Sequence, residues 1–164
     1  MSVWFLSLIQ FLVSAYFSTV PEMSSQQISP AMILVDVRSP DEYEVSHLRG
    51  AVNLHRVEDV ILLARQHPDQ QVVVYCSVGV RSGIVARDAL NHINSGHINS
   101  GQIKPSPFSS KIYNLQGGIF RWAIEGRPLL NQKGNTSLVH QFGWPWSYLL
   151  PADKRAQSTR SVPD

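Results

Sequence analysis

The sequence predicts an α/β fold, in which a parallel sheet is covered by helices on both faces. First, Val72–Tyr75 is an apolar run without polar interruption, which is typical of a strand buried on both sides in a parallel sheet. Second, Ser39 and Glu42 form a capping box with Pro40 at the first helical position, which predicts the start of a helix. Third, short strand-like and helix-like segments alternate along the chain with short connections, and this alternation favours such a sheet.

Each predicted element is a short segment with strand or helix spacing. In chain order they are a strand at 32–37, a helix at 40–45, a strand at 51–54, a helix at 57–65, a strand at 72–75, a helix at 82–92, a strand at 112–115 and a helix opening at Gly117-Gly118 and ending near residue 125. The helix at 57–65 is amphipathic and stops before Pro68. Ligands bind beyond the carboxyl ends of such strands, and Cys76 directly follows one of them.

Cys76 is the only cysteine of the chain, and it opens the loop that precedes the helix at 82–92. Free N–H groups and the helix dipole favour an anion at a helix N-terminus, and Arg81 adds a positive charge nearby. Such surroundings favour the thiolate and make a cysteine nucleophilic. The alternative is that Cys76 is a small buried hydrophobic residue, as many lone cysteines are. We favour the catalytic interpretation.

Three motifs, in this order, resemble a single-domain rhodanese. The first covers residues 34–43 and 47–54, the second is the loop at 76–82, and the third runs from 113 to 122 and ends in 126–128. The resemblance covers residues 31–128 and implies the α/β rhodanese fold. It also implies a sulfurtransferase that moves sulfane sulfur from thiosulfate or a related small-molecule donor, through a persulfide on Cys76, to a thiol or cyanide acceptor. No cofactor is implied.

The resemblance further implies that the loop binds the substrate. Gly79 would allow a backbone angle that a side chain obstructs, and Arg81 would hold the anionic donor. The alternative for Arg81 is a surface arginine tied to an acidic neighbour. The residues whose amides would point at the sulfur, as in other anion nests, are Ser77, Val78, Gly79, Val80, Arg81 and Ser82.

Loop length separates sulfur transfer from its nearest rival within the resemblance. Cysteine phosphatases, including those with a rhodanese fold, have one residue more between the cysteine and the arginine. Here four residues separate Cys76 from Arg81. The shorter ring leaves little room for a tetrahedral phosphate, and so we favour a sulfurtransferase over a phosphatase or an arsenate reductase.

Five further residues are expected to support the site rather than to react. Asp36 and Arg38 flank Val37, so both could project to one side of the strand end, and we predict structural salt bridges there. Glu42 would brace the same sheet end. His47 is predicted to be a turn residue before Gly50 rather than a general base, and Trp122 is predicted to fill the core next to the loop.

Residues 1–20 contain no acidic or basic side chain, and Pro21-Glu22 ends this apolar segment. Its length reaches the lower limit for a membrane helix, but it lacks the basic start and the cleavage site of a signal peptide. We favour a helix docked on the domain or lying in a membrane surface. A membrane span and a mis-assigned start before Met23 are the alternatives. The residues expected to form one weakly polar stripe are Ser7, Gln10, Ser14 and Ser18.

The predicted organisation is therefore an N-terminal apolar helix at 1–22, a rhodanese domain at 24–130 and a C-terminal tail at 131–164. The segment at 92–110 would be a solvated loop insertion, because it contains a tandem five-residue duplication rich in turn formers. His92 and His97 lie in this duplication, and two histidines without a third ligand do not predict a metal site. A linker at 127–137 would lead from the domain into the tail. The tail would continue as an aromatic patch at 140–150, packed on the domain or against the N-terminal helix, and end in disorder from Pro151.

Composition narrows the function classes. The formal charge of +2 is spread along the chain without a Lys/Arg cluster, which argues against a nucleic-acid partner. A single cysteine excludes an internal disulfide and fits a reducing compartment. We therefore expect a cytoplasmic protein, with membrane-surface contact through residues 1–20 as a further expectation. The second hypothesis for function is a catalytically silent rhodanese-like binding or regulatory module.

Overall fold

The computed structural model describes residues 2–95, 111–141 and 146–156, and it confirms the α/β fold. The helices and strands are, in chain order, α1 (Ser2–Tyr16), β1 (Glu22–Met23), β2 (Ile33–Asp36), α2 (Pro40–Val45), β3 (His47–Leu48), β4 (Val52–Asn53), α3 (Val57–Gln66), β5 (Val72–Tyr75), α4 (Val80–Ser95), β6 (Ile112–Leu115), α5 (Gly118–Ile124), β7 (Leu129–Asn131) and β8 (Gly134–Thr136).

The main sheet has five parallel strands in the order β1-β6-β5-β2-β4. The central strand β5 is buried along its whole length, as its uninterrupted apolar run predicts. Asp36 of β2 lies opposite Tyr75 of β5. The last residues of these two strands therefore meet at one edge of the sheet, immediately before Cys76.

Side chains of β5 alternate between two core layers, because successive residues of a strand point to opposite faces. Val72 and Val74 belong to a layer that also contains residues of α1, α3 and α4. Val73 and Tyr75 belong to the other layer, with residues of α5 and β7. Helices thus cover both faces of the sheet.

A second, antiparallel sheet has the order β3-β7-β8, and it corrects the prediction of a linker at 127–137. β7 and β8 form a hairpin, and β7 also pairs with β3 through His47 and Leu130. The strands are two or three residues long, so no periodicity marks them locally. Their partner β3 lies about eighty residues earlier in the chain, and this pairing could not be inferred from the local sequence.

Helix α1 packs on the domain. Val13, Phe17 and Val20, at its end and just beyond it, are buried in the core layer that contains Cys76. Within the part of the chain that the structure describes, no helix is long and apolar enough to cross a membrane. The burial of Val13, Phe17 and Val20 agrees with the docked helix among the predicted alternatives. A row of exposed apolar side chains marks the opposite face of α1, consisting of Leu8, Phe11, Leu12 and Tyr16.

The predicted polar stripe of α1 does not lie uniformly in solvent. Gln10 is buried against the domain, and the Ser14 hydroxyl donates a hydrogen bond of 2.6 Å to the Glu22 carboxylate. Ser7 and Ser18 are exposed. Half of the stripe therefore faces the protein, because polar partners are available there.

The C-terminal segment is ordered further than the sequence predicts. Val139 pairs with Arg155 in an isolated parallel bridge, and the Arg155 guanidinium donates to the Leu150 carbonyl at 2.8 Å and 3.0 Å. The prediction of disorder from Pro151 is therefore wrong for residues 151–156. The insertion at 96–110, residues 142–145 of the aromatic patch and the end at 157–164 lie outside the described residues. His92 belongs to α4, which continues to Ser95.

Candidate active site around Cys76

Cys76 follows the central strand β5 and is 1% exposed. Gly79 has φ +101°, a conformation that favours glycine, and its N–H donates to Cys76 Sγ at 3.2 Å. Helix α4 begins at Val80, two residues earlier than predicted, so Val80, Arg81 and Ser82 form its first turn. The turn at Gly79 therefore brings a backbone donor to the sulfur.

The start of α5 is hydrogen-bonded to the backbone of the loop. The N–H groups of Ile119 and Phe120 donate to the carbonyls of Cys76 and Ser77 at 2.9 Å and 3.0 Å. This approach requires glycine at 118, because a Cβ atom there would collide with both carbonyls. Gly117-Gly118 was visible in the sequence as a helix start, but its contact with the loop was not predicted.

Asn114 of β6 forms hydrogen bonds to the loop and to α4, and this role was not predicted from the sequence. Its side chain is buried, donates from Nδ2 to the Gly79 carbonyl at 3.1 Å and accepts from the Ser82 hydroxyl at 2.7 Å. A buried amide needs partners, and here they stand on either side of the turn into α4. The available signal was one polar residue inside the apolar run Ile112–Leu115.

Arg81 is tied to an acidic neighbour, which is the alternative that the sequence left open. Its guanidinium donates to both carboxylate oxygens of Glu42, from Nη1 at 2.9 Å and from Nη2 at 2.8 Å. Nη2 also lies 3.1 Å from the Ser77 hydroxyl. This bidentate pair joins the first turn of α4 to α2 and to the loop.

The electrostatics of this pair favour its charged form. Burial acts to raise the pKa of Glu42, but the hydrogen bonds and charge of Arg81 outweigh it and lower that pKa from 4.5 to about 2. Burial disfavours the charge of Arg81, yet Glu42 and, to a lesser extent, Cys76 raise the Arg81 pKa. Glu42 thus holds the charged guanidinium next to Ser77, the residue that follows the cysteine.

Asp36 and Arg38 form the predicted salt bridge at the end of β2. Both side chains are fully buried, with Arg38 Nη2 at 2.6 Å from Asp36 Oδ2. Arg38 also donates to the Ser46 carbonyl at 2.6 Å. The pair therefore fixes the end of β2 against the turn between α2 and β3.

His47 and Trp122 both lie in structural positions. His47 is the first residue of β3 rather than part of the turn that follows, which corrects the prediction for it. Its ring stacks on Tyr43 with centroids 3.9 Å apart. Trp122 is buried in the layer that also contains Val78 of the loop, and its indole N–H donates to the Pro128 carbonyl at 3.0 Å.

The rhodanese-like domain family model matches residues 19–125 of the chain. The probable adenylyltransferase/sulfurtransferase MoeZ of Mycobacterium tuberculosis is 32% identical over 99 residues, which cover 59% of this chain and 21% of that protein. The tRNA uridine(34) hydroxylase of Salmonella arizonae is 26% identical over 121 residues, covering 70% and 30%.

Among solved structures, a thiosulfate sulfurtransferase from Pseudomonas aeruginosa superimposes with a TM-score of 0.56 at 21% identity. The match covers 84% of this chain and 25% of that one. At this identity the likeness supports the fold alone. The chain spans less than a third of the length of each of these three proteins.

Proposed function

Because this chain belongs to the rhodanese-like domain family, we propose that it is a sulfurtransferase that carries sulfur as a persulfide on Cys76. The observation that carries the proposal is the position of the sulfur: Cys76 Sγ accepts the Gly79 N–H, and the Arg81 guanidinium is held at the same loop by Glu42 and Ser77. A backbone donor and a fixed cation stabilise a sulfur anion. The name of the partly similar sulfurtransferase from Mycobacterium tuberculosis agrees with this assignment.

In the proposed reaction with thiosulfate, the Cys76 thiolate attacks the outer sulfur of the donor. A bond forms between Sγ and that sulfur, and the bond to the sulfonate sulfur breaks, so that sulfite leaves with the electron pair. The persulfide anion stays on Cys76. Cyanide or a small thiolate then attacks the outer sulfur and regenerates the Cys76 thiolate, so each step is a nucleophilic displacement that needs no external oxidant.

The loop residues take binding roles in this proposal. We assign the binding of the sulfur to the backbone from Ser77 to Ser82, of which the Gly79 N–H donates to Sγ, and the attraction of the anionic donor to Arg81. Both carboxylate oxygens of Glu42 and the Ser77 hydroxyl accept from the Arg81 guanidinium, and these contacts support its role by fixing the positive charge at the loop.

The first experiment incubates the full chain with thiosulfate and measures the intact mass. We expect a gain of one sulfur atom on wild-type protein and none on Cys76→Ser. A matched control is Cys76→Ser with Leu62→Cys, which places a thiol at an exposed site on α3 and should gain no sulfur. A wild-type protein that takes up sulfur from no donor would overturn the proposal. Release of phosphate from an aryl phosphate would instead favour a phosphatase, and we expect none.

The second candidate function is the catalytically silent binding module. The observation that favours it is the exposed row Leu8, Phe11, Leu12 and Tyr16 of α1, in a segment without acidic or basic side chains. An exposed apolar row on one face of a helix fits the surface of a lipid bilayer.

Flotation with vesicles containing an anionic phospholipid tests this contact. We expect wild-type protein to float and Phe11→Asp to stay at the bottom. Leu62→Asp changes an exposed apolar residue outside the row and should float like wild type. Wild-type protein that stays at the bottom would remove the membrane contact, whereas flotation without sulfur uptake would favour the binding module.

A further inference from the structure

Helix α1 contacts the helix start that follows the cysteine loop. Val13 lies 3.6 Å from the position that a Cβ atom on Gly79 would take, and Gly79 is the residue whose N–H reaches the sulfur. One turn further, the Phe17 ring fills the space beside Gly83, where a Cβ atom would lie 2.7 Å from it. Gly83 therefore leaves the room that the Phe17 ring occupies, and Val13 lies at ordinary contact distance beside Gly79.

Gln10 extends this contact to the start of α5. It is 6% exposed, its carbonyl oxygen accepts from Arg121 Nη1 at 2.5 Å, and its Nε2 lies against Gly117. This Nε2 has no hydrogen-bond partner among the described residues. A buried, unpaired amide lowers stability, so α1 is held less firmly than a wholly apolar helix would be.

The burial of the loop is uneven. Cys76, Ser77, Val78 and Gly79 are buried, whereas Arg81 is only half-buried. α1 also contacts the turn Trp146–Leu149, and Leu149 shares a core layer with Val78. The side of the loop next to Arg81 is therefore the more open one, and α1 with the C-terminal segment covers the other.

This covering helix precedes the part of the chain that the family model matches, which begins at residue 19. We propose that α1 determines which molecules can react with Cys76. While α1 is docked, the thiol exchanges with small donors and acceptors that pass Arg81, and thiols carried on proteins are excluded. The part of this inference that concerns sulfur rests on the proposed function, whereas access to the thiol does not.

Alkylation measures access without any sulfur chemistry. The full chain is treated with iodoacetamide, a small reagent, and with a maleimide that carries a long polyethylene glycol chain. We expect wild-type Cys76 to react with the small reagent and to resist the large one. Val13→Asp would bury an unpaired charge beneath α1 and displace the helix, which should raise the rate with the large reagent by about tenfold or more.

The matched control is Leu12→Asp, which adds the same charge to the neighbouring, exposed position of the same helix. It should behave like wild type with both reagents. Val13→Ala keeps the site apolar and should raise the rate of the large reagent less than Val13→Asp does, so the test survives if the aspartate variant fails to fold. Near-UV circular dichroism identifies such a failure.

Two outcomes would overturn the inference. One is wild-type Cys76 that reacts with the large reagent as fast as Val13→Ala does. The other is an equal effect of Leu12→Asp and Val13→Asp, since the contact face of the helix would then not matter.

A second arm loads Cys76 with sulfur and offers either cyanide or a protein with one exposed thiol. We expect wild type to use cyanide alone and the Val13 variants to use both acceptors. If the alkylation pattern holds but no sulfur is taken up, the covering role stands and the proposed function fails. If wild type delivers sulfur to the protein thiol as fast as the variants do, the covering role fails and the proposed function stands.

Discussion

Two carboxylate–arginine pairs lie near the carboxyl end of β2, and they differ in burial and in the separation of their members along the chain. Asp36 and Arg38 stand two residues apart, and both side chains are 0% exposed. Glu42 and Arg81 are 39 residues apart in sequence, with side chains 4% and 34% exposed. The first pair fixes one strand end, whereas the second joins α2 to the loop that carries the candidate nucleophile.

The two pairs should therefore affect different properties of the protein. Loss of one member of the fully buried Asp36–Arg38 pair should mainly lower the stability of the fold, because an unpaired buried charge is very costly. The Glu42–Arg81 pair is partly exposed to water and contacts Ser77 of the cysteine loop, so its loss should change reactivity as well as stability.

The largest effect is expected for Asp36→Asn. This change leaves the Arg38 guanidinium charged and buried without its carboxylate, which should lower the free energy of unfolding by about 3–5 kcal/mol. Urea unfolding followed by circular dichroism measures it. Asp36→Asn combined with Arg38→Met should cost less than the single change, because the unpaired charge is gone. A loss below about 1 kcal/mol for Asp36→Asn would contradict the assignment.

Glu42→Gln should have the second-largest effect on stability. It removes a charged, bidentate partner from a half-exposed arginine, which should cost about 2 kcal/mol. Since Arg81 would no longer be held beside Ser77, sulfur uptake by Cys76 should slow by about tenfold. Unfolding in urea and the rate of the mass gain with thiosulfate measure the two effects. An unchanged rate would place Glu42 with Asp36, as a purely structural residue.

Only the first of these two pairs could be predicted from the sequence. The Asp36–Arg38 pair was predicted because its members flank one strand residue, and their geometry follows from strand alternation. Arg81 could be placed in the loop, but its partner depends on how α2 packs against α4. The sequence therefore left a donor-binding role and a tie to an acidic residue as alternatives.

The same limit applies to the rest of the molecule. β5 and α2 have the predicted bounds because an apolar run and a capping box are local signals. β7 and β8 were missed because β7 pairs with a two-residue strand far away in sequence. Asn114 was missed because its partners, Gly79 and Ser82, come from another element. Physical contacts between distant segments complete the site, and local patterns do not encode them.

The contribution of Glu42 to the free energy of unfolding should depend on pH. Its pKa is lowered from 4.5 to about 2 in the folded protein, so between these values the unfolded chain binds a proton that the native state does not. The stabilisation by ionised Glu42 is therefore complete above about pH 5 and is lost as the pH falls towards 2. Urea unfolding at several pH values should give a constant difference between wild type and Glu42→Gln above pH 5. Below that value the difference should shrink, and a difference that grows on acidification would contradict the pairing.

The smallest effect is expected at an exposed pair, Arg56 and Glu58, whose side chains are 72% and 69% exposed and 3.4 Å apart. Water screens their attraction, and Glu58 contributes only a modest interaction with the N-terminus of α3. Glu58→Gln should therefore change the free energy of unfolding by less than about 0.5 kcal/mol and should leave the rate of sulfur uptake unchanged. The measurement uses the same urea series as Glu42→Gln, since both changes replace a glutamate by its amide. If Glu58→Gln lowered the free energy of unfolding as much as Glu42→Gln does, then burial and contact with the loop would not explain the difference between the two pairs.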